Sequence, residues 1–173
     1  RRFLAKEAMQ WAGQVFAAEG VTAYLVNKSA PTPLVMFYVM KHGLSYGMMV
    51  TASHNPPEYN GYKVYWEDGA QVASPRDKEI ITEVKAVTDY HTVKTMDKES
   101  AIAAGLYQVI GSEIDDAYMV ELKKQIIHPE VIQEMADEIR IVYTPFHGTG
   151  NKPVRRVLSE LGFKHVYVVP EQE

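Results

Sequence analysis

Apolar positions recur at helical spacing from the start of the chain. Phe3, Leu4, Met9, Trp11, Val15 and Phe16 recur at roughly helical spacing and end before Gly20, which predicts a first helix. Thr22 to Val26 then reads as a short buried strand. Pro31-Thr32-Pro33 breaks the chain and opens a helix over Leu34 to Lys41, closing near Gly43. Tyr46 to Thr51 is a second apolar strand. This β-α-β order predicts two parallel strands joined by a right-handed crossover. A polar, proline-bearing loop follows, Ala52 to Gly61, with a turn signal at Asn60-Gly61. Tyr62 to Trp66 alternates faces, and so short a loop predicts an antiparallel return.

Ser74-Pro75 predicts a helix start, with Ile80, Ile81, Val84 and Val87 as its apolar stripe. Residues 89 to 111 carry weak signals and read as a linker with one helical turn at most. Ser112-x-x-Asp115 has the spacing of a capping box, and Ile114, Tyr118, Leu122 and Ile126 mark the helix behind it. A second β-α-β start comprises strand Ile139 to Tyr143, a helix from Asn151 to Leu161, and strand His165 to Val169. Asn151 is its expected N-cap and Gly162 its expected C-cap. One β-α-β unit is a poor core by itself, so the second domain is expected to be cut off.

Composition narrows the function classes. The 173 residues are 46% hydrophobic and 23% charged, ordinary for a globular chain of one to two domains. The net charge of -4 argues against a nucleic-acid partner. The absence of cysteine excludes a disulfide scaffold, a thiolate metal site and a cysteine nucleophile. No apolar run is long enough to predict a membrane span, and no leader pattern follows Arg1-Arg2. A cytoplasmic location is the expectation.

The chemistry concentrates in Thr51-Ala52-Ser53-His54-Asn55-Pro56-Pro57-Glu58-Tyr59-Asn60-Gly61-Tyr62-Lys63. A hydroxyl at the carboxyl end of a strand occupies the usual ligand position of an open α/β sheet. Pro56-Pro57 stiffens the loop and biases Asn55 away from helical dihedrals. The return strand can carry Lys63 back beside Ser53. Histidine, asparagine and lysine donors around a serine suit phosphate. A purely structural turn accounts for the same residue types, so composition alone leaves both readings open. A serine hydrolase is disfavoured, because there is no G-x-S-x-G elbow and a sequence-adjacent histidine is not a triad partner.

The T-A-S-H-N-P core followed by Y-N-G-Y-K, extending to Trp66-Glu67-Asp68-Gly69-Ala70-Gln71, resembles the signature of the α-D-phosphohexomutase superfamily, which includes phosphoglucomutases and phosphomannomutases. Residues 1–110 resemble the first domain of that family without its extreme N-terminus, and residues 111–173 resemble part of the second. The resemblance implies a mixed, mostly parallel sheet sandwiched by helices, followed by the beginning of a second similar α/β domain. Tyr143-Thr144-Pro145-Phe146-His147-Gly148-Thr149-Gly150 is similar to the second-domain opening of the phosphoglucomutase-like branch.

The resemblance implies roles as well. Ser53 would carry a phosphoryl group, donate it to a small phosphosugar, and take it back from a bisphosphorylated intermediate, moving phosphate between C1 and C6 of a hexose. Lys63 would act as general acid/base or phosphate stabiliser. His54 and Asn55 would position the loop and bind substrate or phosphate. His147 is read as structural or cleft-lining, with phosphate binding the weaker alternative. Mg2+ would sit on the Ser53 phosphate with its other ligands outside the chain, and a sugar 1,6-bisphosphate would be the activator. The Asp-rich metal loop, the sugar-specificity loop and the phosphate-gripping domain of the family are not found in this sequence, nor is its arginine-bearing N-terminal segment. The chain alone is therefore expected to be inactive, with the remaining domains of the same polypeptide as its partners. A phosphopentomutase, a sugar-bisphosphate synthase or a non-catalytic truncated domain remain alternatives.

Overall fold

Helix α1 (Ala5–Ala18), strand β1 (Ala23–Val26), helix α2 (Thr32–His42) and strand β2 (Tyr46–Val50) follow in the expected order in the computed structural model, which describes residues 2–173. Arg1, the first residue of the expected first domain, lies outside the described residues. Strand β3 (Tyr62–Trp66) comes next, then α3 (Arg76–Ala86), α4 (Lys98–Ala103) and β4 (Tyr107–Ile110). The rest is α5 (Glu113–Lys123), α6 (Pro129–Met135), β5 (Arg140–Tyr143), α7 (Asn151–Glu160) and β6 (His165–Val168).

The described chain divides into two compact units. One runs up to Lys28 and from Val35 to Gly111. The other comprises Ser29–Leu34 and Ser112–Glu173. Each is a mixed α/β arrangement of short sheets flanked by helices.

In the first unit, β2 and β3 pair antiparallel as the short loop demands, with Met49 opposite Lys63 and Val50 opposite Tyr62. The two strands joined by α2 are not hydrogen-bonded to each other. β1 pairs in parallel with β4, from Ala23 opposite Tyr107 to Val26 opposite Ile110. The helix between β1 and β2 crosses over without making them hydrogen-bonded neighbours, a common outcome for consecutive strands. β4 falls in the stretch read as linker, as does α4. Tyr107 and Ile110 of β4 are both buried. Asp97 caps α4, its carboxylate accepting from the Ser100 amide at 2.9 Å.

The core of this unit is Ala17, Leu25, Ala101 and Tyr107, with Met9, Ala23, Met96 and Leu106 packed against it. Gly13 of α1 is required there: a Cβ at that position would stand 2.8 Å from the Tyr107 ring. The stripe expected on α3 does not reach a core. Ile81, Val84 and Val87 are 45%, 49% and 40% exposed, because the helix carries no buried residue on either face.

In the second unit, β5 and β6 pair in parallel around α7, with Arg140 opposite His165. Gly162 takes φ +94°, as the left-handed exit from a helix requires. Gly150, not Asn151, is the N-cap residue of α7, and Asn151 opens the helix itself. Ser112 precedes α5 but makes no side-chain cap, since its own dihedrals are already helical. Helix α6, which opens at Pro129, has no counterpart among the sequence-predicted elements. Two ion pairs join α5 to α7: Arg156 Nη1 to Asp116 Oδ1 at 2.7 Å, and Lys123 Nζ to Glu160 Oε2 at 2.6 Å.

Candidate functional site

Strand β2 ends at Val50, and β3 begins at Tyr62. The intervening loop closes on itself where the Thr51 amide donates to the Gly61 carbonyl at 2.8 Å. Inside that closure, the Ser53 amide donates to Thr51 Oγ1 at 3.1 Å, and the Asn55 amide donates to the Ala52 carbonyl at 3.1 Å. The Tyr59 amide reaches back to the Pro56 carbonyl at 3.0 Å, and Asn60 Oδ1 accepts from the Gly61 amide at 3.0 Å. The turn residues thus act as their types predict, satisfying backbone groups that the ladder leaves free.

Ser53 sits at φ +55°, in the left-handed region. That conformation costs a residue with a Cβ roughly 1–2 kcal/mol and persists only where the surroundings enforce it. Its side chain is exposed, and Ser53 Oγ lies 3.3 Å from Nδ1 of the neighbouring His54. Either partner can donate, according to the imidazole tautomer. His54 and Asn55 are both exposed.

The segment before α1 holds the loop in place. The Arg2 guanidinium donates to four loop carbonyls: Pro56 and Tyr59 at 3.0 Å each, Asn55 at 2.9 Å, and Ser53. The Phe3 amide donates to the Pro57 carbonyl at 3.2 Å, and Asn60 Nδ2 donates to the Phe3 carbonyl at 2.8 Å. Sequence reading missed Arg2 as part of the site. Its sequence signal is a basic residue just ahead of the first helix.

Lys63 is half-buried in β3, opposite Met49. Among the described residues it forms no ion pair, and no hydrogen bond joins its side chain to Ser53. Ser53, His54 and Asn55 are therefore brought together in one loop, with Lys63 on the strand that returns from it. His147 belongs to the second unit. It is exposed and stacks on Phe146 with ring centroids 4.3 Å apart.

In the second unit, Arg155 pairs with Glu173 and Asn151. Arg156 bridges Asp116 and Glu160, which raises its pKa, mainly through the Glu160 hydrogen bond. Asp116 is thereby committed to an arginine. Tyr65 packs in the interior at 3% exposure, whereas Tyr59 and Tyr62 are exposed. Among the described residues, no group of three or more histidines or acids is arranged to hold a metal ion. The hydroxyl of Ser53 alone does not make a magnesium site. No described helix is long and apolar enough to cross a membrane.

Fold and loop together define a class: an α/β domain that presents a serine on a braced turn at the end of a strand. Residues 1–91 match the family described as phosphoglucomutase/phosphomannomutase, alpha/beta/alpha domain I, and the chain belongs to that family. The glucose 1,6-bisphosphate synthase of Homo sapiens is 37% identical over 159 residues, covering 92% of this chain and 25% of that protein. The phosphopentomutase of Homo sapiens is 34% identical over 162 residues, covering 94% and 26%. A crystal structure described as a putative phosphomannomutase from Thermus thermophilus superposes with a TM-score of 0.75 over 99% of this chain and 36% of that one. Its 24% identity makes it a likeness of fold. The chain spans about a quarter of the length of these curated relatives.

Proposed function

We propose that this chain is the phosphoryl-transfer part of a phosphosugar mutase that interconverts hexose 1-phosphate and hexose 6-phosphate. The reading rests on one observation above all: the family's serine loop, here Ser53-His54-Asn55, is held on a braced turn with the Ser53 hydroxyl open to solvent.

In the activating step, Ser53 Oγ bonds to phosphorus of a sugar 1,6-bisphosphate as the sugar O–P bond breaks. The Ser53 proton leaves through a base, and the departing sugar oxygen gains a proton. His54 Nδ1, at 3.3 Å, is within reach to take the proton or to hold the hydroxyl. In the reverse direction the phosphoserine gives its phosphoryl group to a hydroxyl of a sugar monophosphate, regenerating Ser53 and a bisphosphate. Lys63 serves as proton donor and acceptor or as the cation facing the transferring oxygens, and Asn55 supplies hydrogen bonds to phosphate. A phosphoserine carries about -1.5 to -2 charges at neutral pH, so cations must face it. The partners are a small phosphosugar and the remaining domains of the same polypeptide, and the chain alone is expected not to turn over.

The relatives are named for different phosphosugar reactions, so a bisphosphate synthase or a phosphopentomutase is the second reading. The test uses the full-length protein that contains this chain. Incubation with glucose 1,6-bisphosphate should add one phosphate to the intact mass, on Ser53, and Ser53→Ala should abolish both the phosphate and all transfer. Turnover retained in Ser53→Ala would sink the assignment. Comparing glucose 1-phosphate, mannose 1-phosphate and ribose 1-phosphate as acceptors decides among the reactions.

A further inference from the structure

Among the described residues, two that are not glycine adopt positive φ: Leu4 at +53° and Ser53 at +55°. They lie on the two stretches of chain that Arg2 joins. Leu4 is the residue that turns the chain into α1, and Ser53 is the proposed phosphate carrier. Between them stands a guanidinium whose acceptors are carbonyls of Ser53, Asn55, Pro56 and Tyr59. The Phe3–Pro57 and Asn60–Phe3 hydrogen bonds flank it on the same segment. Strained residues persist where neighbouring contacts over-determine them, and on the Ser53 loop those contacts converge on Arg2.

The residue type matters. Four converging carbonyls need several donors in fixed directions, and a planar guanidinium offers five, whereas an ammonium offers three on a flexible stem. Its four acceptors are neutral, and among the described residues Arg2 forms no ion pair. Its positive charge is thus not cancelled where it sits, against the carbonyl of the serine that would become doubly negative.

We propose that Arg2 is a positioning residue for phosphoryl transfer, locking the Ser53 loop in its left-handed, phosphate-presenting shape and holding a positive charge behind it. The proposal rests on the phosphoserine reading of Ser53. Arg2 touches no substrate in this role and acts through the loop backbone.

The test compares the full-length protein with its Arg2→Met and Arg2→Lys variants. The rate of Ser53 phosphorylation by glucose 1,6-bisphosphate, per folded molecule, is read by intact mass. Arg2→Met should slow it about 100-fold, the scale of a misplaced reacting group, with KM for the sugar phosphate changed less than about twofold. Arg2→Lys, which keeps the charge but loses the fork, should fall between. A loss of fold alone would lower the active fraction and leave the rate per folded molecule unchanged.

Chymotryptic cleavage after Tyr59 gives a readout independent of activity, and Arg2→Met should accelerate it about tenfold as the local opening free energy drops. A wild-type phosphorylation rate per folded Arg2→Met molecule, or unchanged cleavage after Tyr59, overturns the proposal. Should Arg2→Met fail to fold, Arg2→Lys decides, since wild-type behaviour in both measurements overturns it equally. If wild-type Ser53 accepts no phosphate from any sugar bisphosphate while cleavage accelerates in the variants, the mutase reading falls and the loop-holding role of Arg2 stands.

Discussion

Gly47 faces Val39 so closely that a Cβ at Gly47 would stand 2.7 Å from Val39 Cγ2, with Val35 Cγ1 at 2.9 Å. Helix α2 therefore lies directly on β2, the strand that leads into the Ser53 loop. Tyr65, opposite Gly47 in the ladder, closes the same packed layer at 3% exposure. Val35 and Val39 are β-branched and stiff at χ1, so neither can swing aside cheaply. Gly47→Ala should destabilise the protein by about 1–3 kcal/mol through overpacking. Thermal unfolding is the check, and a melting temperature at or above that of the wild type would show that α2 can retreat. Val39→Ala in the same background should recover part of the loss, because it removes the atom that the new methyl meets.

Lys63 makes a separable prediction. It is half-buried on β3, yet it has no ion pair among the described residues and contributes little that the fold needs. Lys63→Met keeps the stem and removes the charge. Stability should stay within about 0.5 kcal/mol of wild type, as for surface substitutions away from special features. Turnover of the full-length protein should fall about 100-fold to 10,000-fold, the range of a lost general acid/base. A large loss of stability with unchanged turnover per folded molecule would make Lys63 a structural residue.

The site was more legible in the sequence than the sheet around it. The Ser53 loop could be read because its residues carry local chemistry: Asn60-Gly61 turns the chain, Pro56-Pro57 stiffens it, and a short connection forces β3 back on β2. The partner of β1 could not be read, because strand pairing is settled by which buried face is completed. Tyr107 completes it, its ring lying over Gly13 of α1. Within Tyr107–Ile110 only Tyr107 and Ile110 are buried, and Val109 is 54% exposed, so no clean alternation marks the strand. On α3 the failure ran the other way: an apolar spacing was visible, but periodicity does not say whether a surface exists to cover it. Arg2 was invisible for a third reason. Its role depends on carbonyls more than fifty positions away in the chain, which no local pattern reports.

The ionisable groups set two pH limits on stability. At the acid end, Glu160 is held below the usual carboxylate range, first by the hydrogen bond from Lys123 and then by that from Arg156. Asp97 is lowered chiefly by its hydrogen bonds with Ser100 at the start of α4. A carboxylate with a depressed folded-state pKa contributes stability above its unfolded value, and that stability is lost as pH falls through the folded one. Stability should therefore hold at neutral pH and decline below about pH 4. At the alkaline end, burial raises the phenols of Tyr46, Tyr65, Tyr107 and Tyr118. Their contribution is complete below about pH 10 and is lost as pH climbs through the raised values. Urea midpoints measured from about pH 3 to about pH 11 should give a plateau with two falling edges. Lys123→Met should flatten the acid edge by releasing Glu160, while Tyr107→Phe, which keeps the ring and removes the ionisable hydroxyl, should flatten the alkaline one. An acid edge unchanged by Lys123→Met would show that Glu160 is not held low by that partner.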